Sequence, residues 1–278
     1  MRARGKAGEL SFLDLAALGR RGPPVNAIFA IAINTFREAI RDRILYLLLV
    51  FALLLIFSSR IVGVLTVGDE NKIVKDFGLS SIDAFGVMTA IFVGVGLVFK
   101  EIERRTIYTI VTRPIHRSQF IFGKYAGLVL TLAVNTSIMT AGYFGLLLAR
   151  GAADPRLLIA VGLAFIQFML VTAIAIFFSS FSTPILSGIF TLSLYVLGQL
   201  SWSFLLLRDR IGGGLAGALC EVLYHVVPNL WRLNVKSEVV NGLPLPGGLG
   251  AWSALYGLGW CAFILFGAAL VFGRRDFQ

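Results

Sequence analysis

Six stretches of the chain are apolar almost without interruption: residues 44–66, 82–99, 125–148, 157–178, 184–206 and 251–272. About 20 mostly apolar residues in a helix cross the roughly 30 Å hydrocarbon core of a bilayer. Each run therefore predicts a membrane-spanning helix, and the pattern as a whole predicts an all-α, polytopic membrane protein with six transmembrane helices. Arg60 stands near the far end of the first run, where a long side chain snorkels to the interface. The second run opens on Ser80-Ser81-Ile82-Asp83, a serine with an acid three residues on. That spacing resembles a capping box and predicts a helix start there, which puts Asp83 at a helix end. The fifth opens at Pro184, suited to a first helical turn.

The segments between the runs carry patterns of their own. In "PVNAIFAIAINTFREAIRDR", residues 24–43, Val25, Ile28, Phe29, Ala32, Phe36 and Ile40 share one helical face and Asn26, Asn34, Arg37 and Arg41 another. This predicts an amphipathic helix lying in the membrane interface; the competing reading is a plain extension of the first span. Residues 1–23 read as a polar, cytoplasmic N-terminal tail ahead of a transmembrane domain covering 24–278. The connector 207–250 is too apolar for a free loop and too broken by Gly and Pro for a span, so it predicts short helices re-entering the outer interface.

Composition agrees. The chain of 278 residues is 57% hydrophobic and 14% charged, against about 25% charged for soluble domains. The net charge of +10 does not point to nucleic acid, because the basic residues sit at the ends of apolar runs and are not interleaved with stacking aromatics. One connector, residues 100–124, holds eight formal charges: Lys100, Glu101, Glu103, Arg104, Arg105, Arg113, Arg117 and Lys124. At about 3 kcal/mol each in mid-bilayer it cannot be buried in lipid, so it is an aqueous loop. Placing both termini and this loop inside assigns sixteen Lys and Arg to the cytoplasm and nine to the outside; this predicts an N-in, C-in topology.

The chemistry of the runs is spare. No G-x-x-x-x-G-K-[S/T] phosphate loop is present, so ATP is not hydrolysed here by that route. Cys220, Cys261, His116 and His225 lack metal-ligand spacing, and no catalytic or metal site is expected. The span centres read as free of acids and bases. Their polar residues are uncharged, and Asn135, Thr191, Ser193 and Gln199 are the candidates for lining a pathway or for interhelical hydrogen bonds. Gly86, Ala90 and Gly94 form a small-residue stripe, either an internal packing seam or a subunit interface.

The stretch "EIERRTIYTIVTRPIHRSQFIFGKYAG" resembles the cytoplasmic loop of ABC-2 type transporter permeases, whose pattern ends in "(K/R)P(V/I)xRxxFxxGKxxG". The matching residues are Glu101, Glu103, Arg104, Arg105, Thr106, Arg113, Pro114, Arg117, Phe120, Gly123, Lys124 and Gly127. Arg105 stands where many members have glycine. "KIVKDFGL" (72–79) and "VPNLWRLNVKSEVVNG" (227–242) are similar to the branch named for multicopper-enzyme maturation. The resemblance implies the non-catalytic transmembrane subunit of an exporter in a bacterial inner membrane. It implies a second permease copy and two separate ATPase chains that bind ATP and Mg, with no cofactor on this chain; a periplasmic accessory protein is compatible with it. It makes 24–43 the elbow helix and 100–124 a coupling helix, with Glu101, Glu103, Arg104, Arg105, Thr106, Arg113, Pro114 and Arg117 as the ATPase-coupling residues. The alternative is a membrane scaffold or assembly factor whose basic loop meets lipid headgroups.

Overall fold

The computed structural model describes residues 24–65, 69–103, 117–211, 214–244 and 248–274. Among these the chain is helical and contains no strand. The helices are α1 (Pro24–Ile40), α2 (Arg43–Leu65), α3 (Glu70–Glu103), α4 (Arg117–Ala149), α5 (Leu157–Ser179), α6 (Pro184–Gln199), α7 (Ser201–Ile211), α8 (Leu215–Val226), α9 (Lys236–Val240) and α10 (Leu249–Arg274), with a 3-10 turn at Leu230–Leu233.

Five of them, α2, α3, α4, α5 and α10, are long and apolar enough to cross a membrane. The fifth predicted span is not one straight helix. It divides into α6 and α7, bent by 56° around Leu200, whose ψ of 2° has left the helical range. Just before the break, Gly198 lets the Pro228 carbonyl oxygen and Leu230 approach the helix closely. The described helices thus provide five spans, or six if the bent pair counts as one.

The second span also differs from expectation. Its helix begins at Glu70, not at the serine pair. Asp69 caps it, with the backbone N–H groups of Asn71 and Lys72 donating to its Oδ1 at 3.2 and 3.4 Å. Ser80 is mid-helix and donates back to the Asp76 carbonyl at 2.7 Å, a bond that satisfies a hydroxyl and does not start a helix.

α1 is a separate helix, not an extension of α2. The chain turns at Arg41 and Asp42, and the Asp42 carboxylate accepts from the Ile44 N–H at 3.0 Å, capping α2. α1 lies along α4, and the fit depends on two glycines. A Cβ on Gly123 would stand 2.8 Å from Ile31 Cβ, and one on Gly127 would stand 2.5 Å from the Ala32 carbonyl oxygen. The protein-facing stripe of α1 includes Thr35 and Ala39, both buried, while Phe29 is left 66% exposed.

α5 is the centre of the bundle: apolar all round, it is buried along most of its length between α3, α4, α6 and α10. Against it lies the stripe on α3, which is an internal seam. Gly86 receives the fully buried Phe168 ring, and a Cβ on Gly94 would be 3.1 Å from Ala175 Cβ. On the α4 side, Gly78 receives the ring of Tyr143, whose hydroxyl donates to the Lys75 carbonyl at 2.9 Å.

These contacts sort the connectors onto two ends. At one, Arg150 pairs with Glu70 at 2.7 Å and the 3-10 turn and α9 join the core around Val74, Leu79 and Leu157. At the other, Phe120 stacks on Phe272 at 5.9 Å beside Ala39, Leu45 and Ile176. The last turns of α10, α1 and the start of α4 therefore share the end to which the 100–124 connector belongs.

Gly86→Ala should lower stability by about 1–3 kcal/mol, because the buried Phe168 ring has nowhere to go. Gly96, whose Cβ would meet nothing within 4 Å, is the control: Gly96→Ala should be neutral or slightly stabilising. Thermal melts followed by size-exclusion chromatography in detergent check both.

Candidate functional site

The sequence candidates separate in the fold. Asn135 is 2% exposed and donates from Nδ2 to the Thr89 hydroxyl at 3.3 Å, tying α4 to α3. Thr191 is fully buried and donates to the Ser187 carbonyl at 2.7 Å within its own helix. Ser193 is exposed on α6. Only Gln199 belongs to a larger arrangement. Of the coupling set, Glu101 and Glu103 fall in the last turn of α3 and Arg117 opens α4. Arg104, Arg105, Thr106, Arg113 and Pro114 lie outside the described residues.

The residue that organises the site is one the capping-box pattern places at a helix start. With α3 starting at Glu70, Asp83 lies well inside the second membrane-crossing segment, Glu70–Gly96. The expectation of spans free of acid is therefore corrected. A carboxylate in such a place needs partners within the protein, and it has them. Gln167 of α5, 1% exposed, donates from Nε2 to Asp83 Oδ1 at 2.8 Å. Gln199, the last residue of α6, donates to Gln167 Oε1 at 3.0 Å and reaches the Tyr195 hydroxyl at 3.4 Å. Three helices are thus joined by one polar chain, ending at the helix break.

A charge from α9 closes the chain on its other side. Asp76, Ser80 and Asp83 follow at four- and three-residue steps, so they share a face of α3. Lys236, the first residue of α9, donates from Nζ to Ser80 Oγ at 2.7 Å and stands 3.8 Å from Asp76 Oδ1. Its charge also attracts the Asp83 carboxylate. A cavity of about 20 Å³ lies between them, lined by Leu79, Asp83, Gln167, Asn234 and Lys236 among others; that is room for about one water molecule. The arrangement holds no nucleophile paired with a base. It fastens α9 to α3 through Lys236, and α3 to α5 and α6 through Asp83, Gln167 and Gln199.

A second polar surface is open. Thr136, Ser137 and Thr140 of α4 face Leu158, Gly162 and Phe165 of α5 across a groove of about 540 Å³. The Thr136 hydroxyl is buried without a hydrogen-bond partner.

Asp83→Leu strips the acceptor from a buried amide and should cost about 1–3 kcal/mol. Gln167→Leu should cost a similar amount. The double variant should be less destabilised than the sum, with a coupling of about 0.5–3 kcal/mol. Reversible unfolding in mixed micelles measures the cycle.

Comparison with known proteins bears on the whole bundle. A search of curated proteins gives no match. The family model described as "ABC-2 family transporter protein" matches residues 29–277, from within α1 to the last residues of the chain. The match takes in the helices, the polar chain and the charged connector together. The chain belongs to the ABC-2 transporter family and is a membrane permease component of an ABC transporter.

Proposed function

We propose that this permease works as two copies with two ATPase chains and exports its cargo, and that the 100–124 connector is the part the ATPase grips. The observation that carries this is the continuity of α3. It runs unbroken for 34 residues from Glu70 to Glu103, about 50 Å at 1.5 Å per residue, well beyond the hydrocarbon thickness. One end of this rod enters the charged connector. Further along it carry Asp83, Ser80 and Asp76, the anchor points of α5 and the outer segment. Arg117 resumes the chain as the first residue of α4, so both ends of the connector are fixed to spanning helices. A push on the connector is then a push on the polar chain.

ATP and Mg belong to the partner chains, which supply the energy that this chain has no phosphate loop to obtain. The pathway runs where polar groups face a neighbour or an opening, with Asn135, Gln199 and the Thr136–Thr140 groove as candidates. Both termini and the connector face the cytoplasm of a bacterial cell, with six spans when α6 and α7 are counted together. The competing reading is a scaffold whose basic loop only meets headgroups.

Exposed ion pairs contribute about 0–1 kcal/mol each, so the grip rests on several residues: Glu101, Glu103, Arg104, Arg105, Thr106, Arg113, Pro114 and Arg117. Arg104→Glu with Arg105→Glu should leave insertion and folding intact and abolish transport, with ATP hydrolysis insensitive to cargo or the ATPase lost on purification. Normal transport with the ATPase bound favours the scaffold. Topology is tested separately. Ser118 and Ser237 are both exposed, and the two free cysteines, Cys220 and Cys261, are buried. In a background with these two replaced, single cysteines at 118 and 237 should label from opposite sides of intact cells; labelling of both by an impermeant outside reagent contradicts the arrangement.

A further inference from the structure

At the end away from the charged connector a larger cleft of about 810 Å³ opens between the 3-10 turn, α9 and the first turns of α10. It shares Asn234 and Val235 with the small cavity beside Asp83 but does not reach Asp83 itself, and it is lined by both signs of charge and by aromatic rings. Trp231, Trp252 and Tyr256 supply the rings. Trp231 is 50% and Trp252 75% exposed. Tyr256 is fixed, its hydroxyl accepting from the Asn229 N–H at 2.8 Å. The Arg232 guanidinium lies over its ring, 5.4 Å from the centroid, and enters no ion pair among the described residues. Glu238 lines the same cleft, and its Oε2 is buried without a hydrogen-bond partner. A buried carboxylate oxygen left unpaired is costly and calls for a donor.

We infer that this cleft binds the headgroup of a zwitterionic phospholipid from the outer leaflet. The ammonium meets the Glu238 carboxylate and the tryptophan faces, as a cation against rings and a counter-charge does. The phosphate meets Arg232, whose planar fork suits its oxygens. The acyl chains have a surface to follow. Leu255, Leu258, Phe263 and Phe266 continue from the cleft along α10, all exposed, the last two above 60%. Tryptophan at the boundary between such a surface and water is the usual residue of the headgroup zone. An anionic lipid offers Arg232 a partner and leaves Glu238 facing like charge, so the site selects for the amine. This reading rests on the proposed topology for the choice of leaflet and needs neither cargo nor ATPase.

The test uses the full chain in detergent with Trp202→Phe and Trp260→Phe, so that Trp231 and Trp252 report. The probes are phosphatidylethanolamine and phosphatidylglycerol with identical brominated acyl chains, which quench tryptophan on contact. Phosphatidylethanolamine should reach half-maximal quenching at about tenfold lower mole fraction, the scale of one charge-assisted bond. Free phosphoethanolamine should relieve that quenching. Glu238→Gln should erase the preference between lipids, and Arg232→Gln should weaken both. Equal quenching by the two lipids in the unaltered cleft, failure of phosphoethanolamine to compete, or a preference that survives Glu238→Gln overturns the assignment. If Glu238→Gln does not remain monodisperse, the lipid comparison and the competition in the unaltered cleft decide alone.

Discussion

A carboxylate in the middle of an apolar helix has to find its hydrogen bonds inside the protein, because lipid offers none. Asp83 meets that requirement through Gln167, and Gln167 meets its own through Gln199. The consequences spread outward. α3, α5 and α6 are held at fixed heights relative to one another. The chain ends at Gln199, where the helix breaks and α7 turns away by 56°. Lys236 adds its charge, and α9 is bound to the same face of α3. Apolar packing alone does not fix such a register between helices in lipid, since acyl chains are as apolar as leucine.

Close packing supplies the rest of the rigidity. Gly78 and Gly86 let the rings of Tyr143 and Phe168 reach the backbone of α3, and Gly94 lets α5 approach within van der Waals contact. The same device appears on α4, where Gly123 and Gly127 seat α1. Their place in the sequence pattern of the connector has a physical reason: they hold the N-terminal helix against the span that leaves the connector. A movement of the connector is therefore felt by α1 as well as by α3.

How much of this was legible depended on whether the signal was local. Hydropathy located every long apolar helix, because a run of twenty apolar residues has few other uses. The turn at Arg41–Asp42 matched the boundary between the amphipathic helix and the first span. The start of α3 was misplaced by more than a turn of helix, since Ser80 and Asp83 imitate a cap while the true cap, Asp69, precedes a stretch too polar to read as a span. That one error hid Asp83. The break at Leu200 had only Gly198 as a local hint; what lies against that glycine is the Pro228 carbonyl, some thirty residues on. Likewise Asn135, Thr191, Ser193 and Gln199 looked alike in sequence. Only tertiary placement shows that Gln199 closes a network, Asn135 bonds a neighbouring helix and Ser193 faces outward.

The central claim is that α3 moves as one rod joining the charged connector to the polar chain. Spin labels at Asn71 and Met88, both exposed on α3, should stay about 25 Å apart along the helix in nucleotide-free and ATP-trapped complexes, in a background without Cys220 and Cys261. A second pair, Asn71 with Leu258 on α10, should change its separation between the two states. Pulsed dipolar spectroscopy on the reconstituted complex gives both distances. A change within the Asn71–Met88 pair means the helix hinges, and an unchanged Asn71–Leu258 pair means the rod does not move; either result contradicts the account.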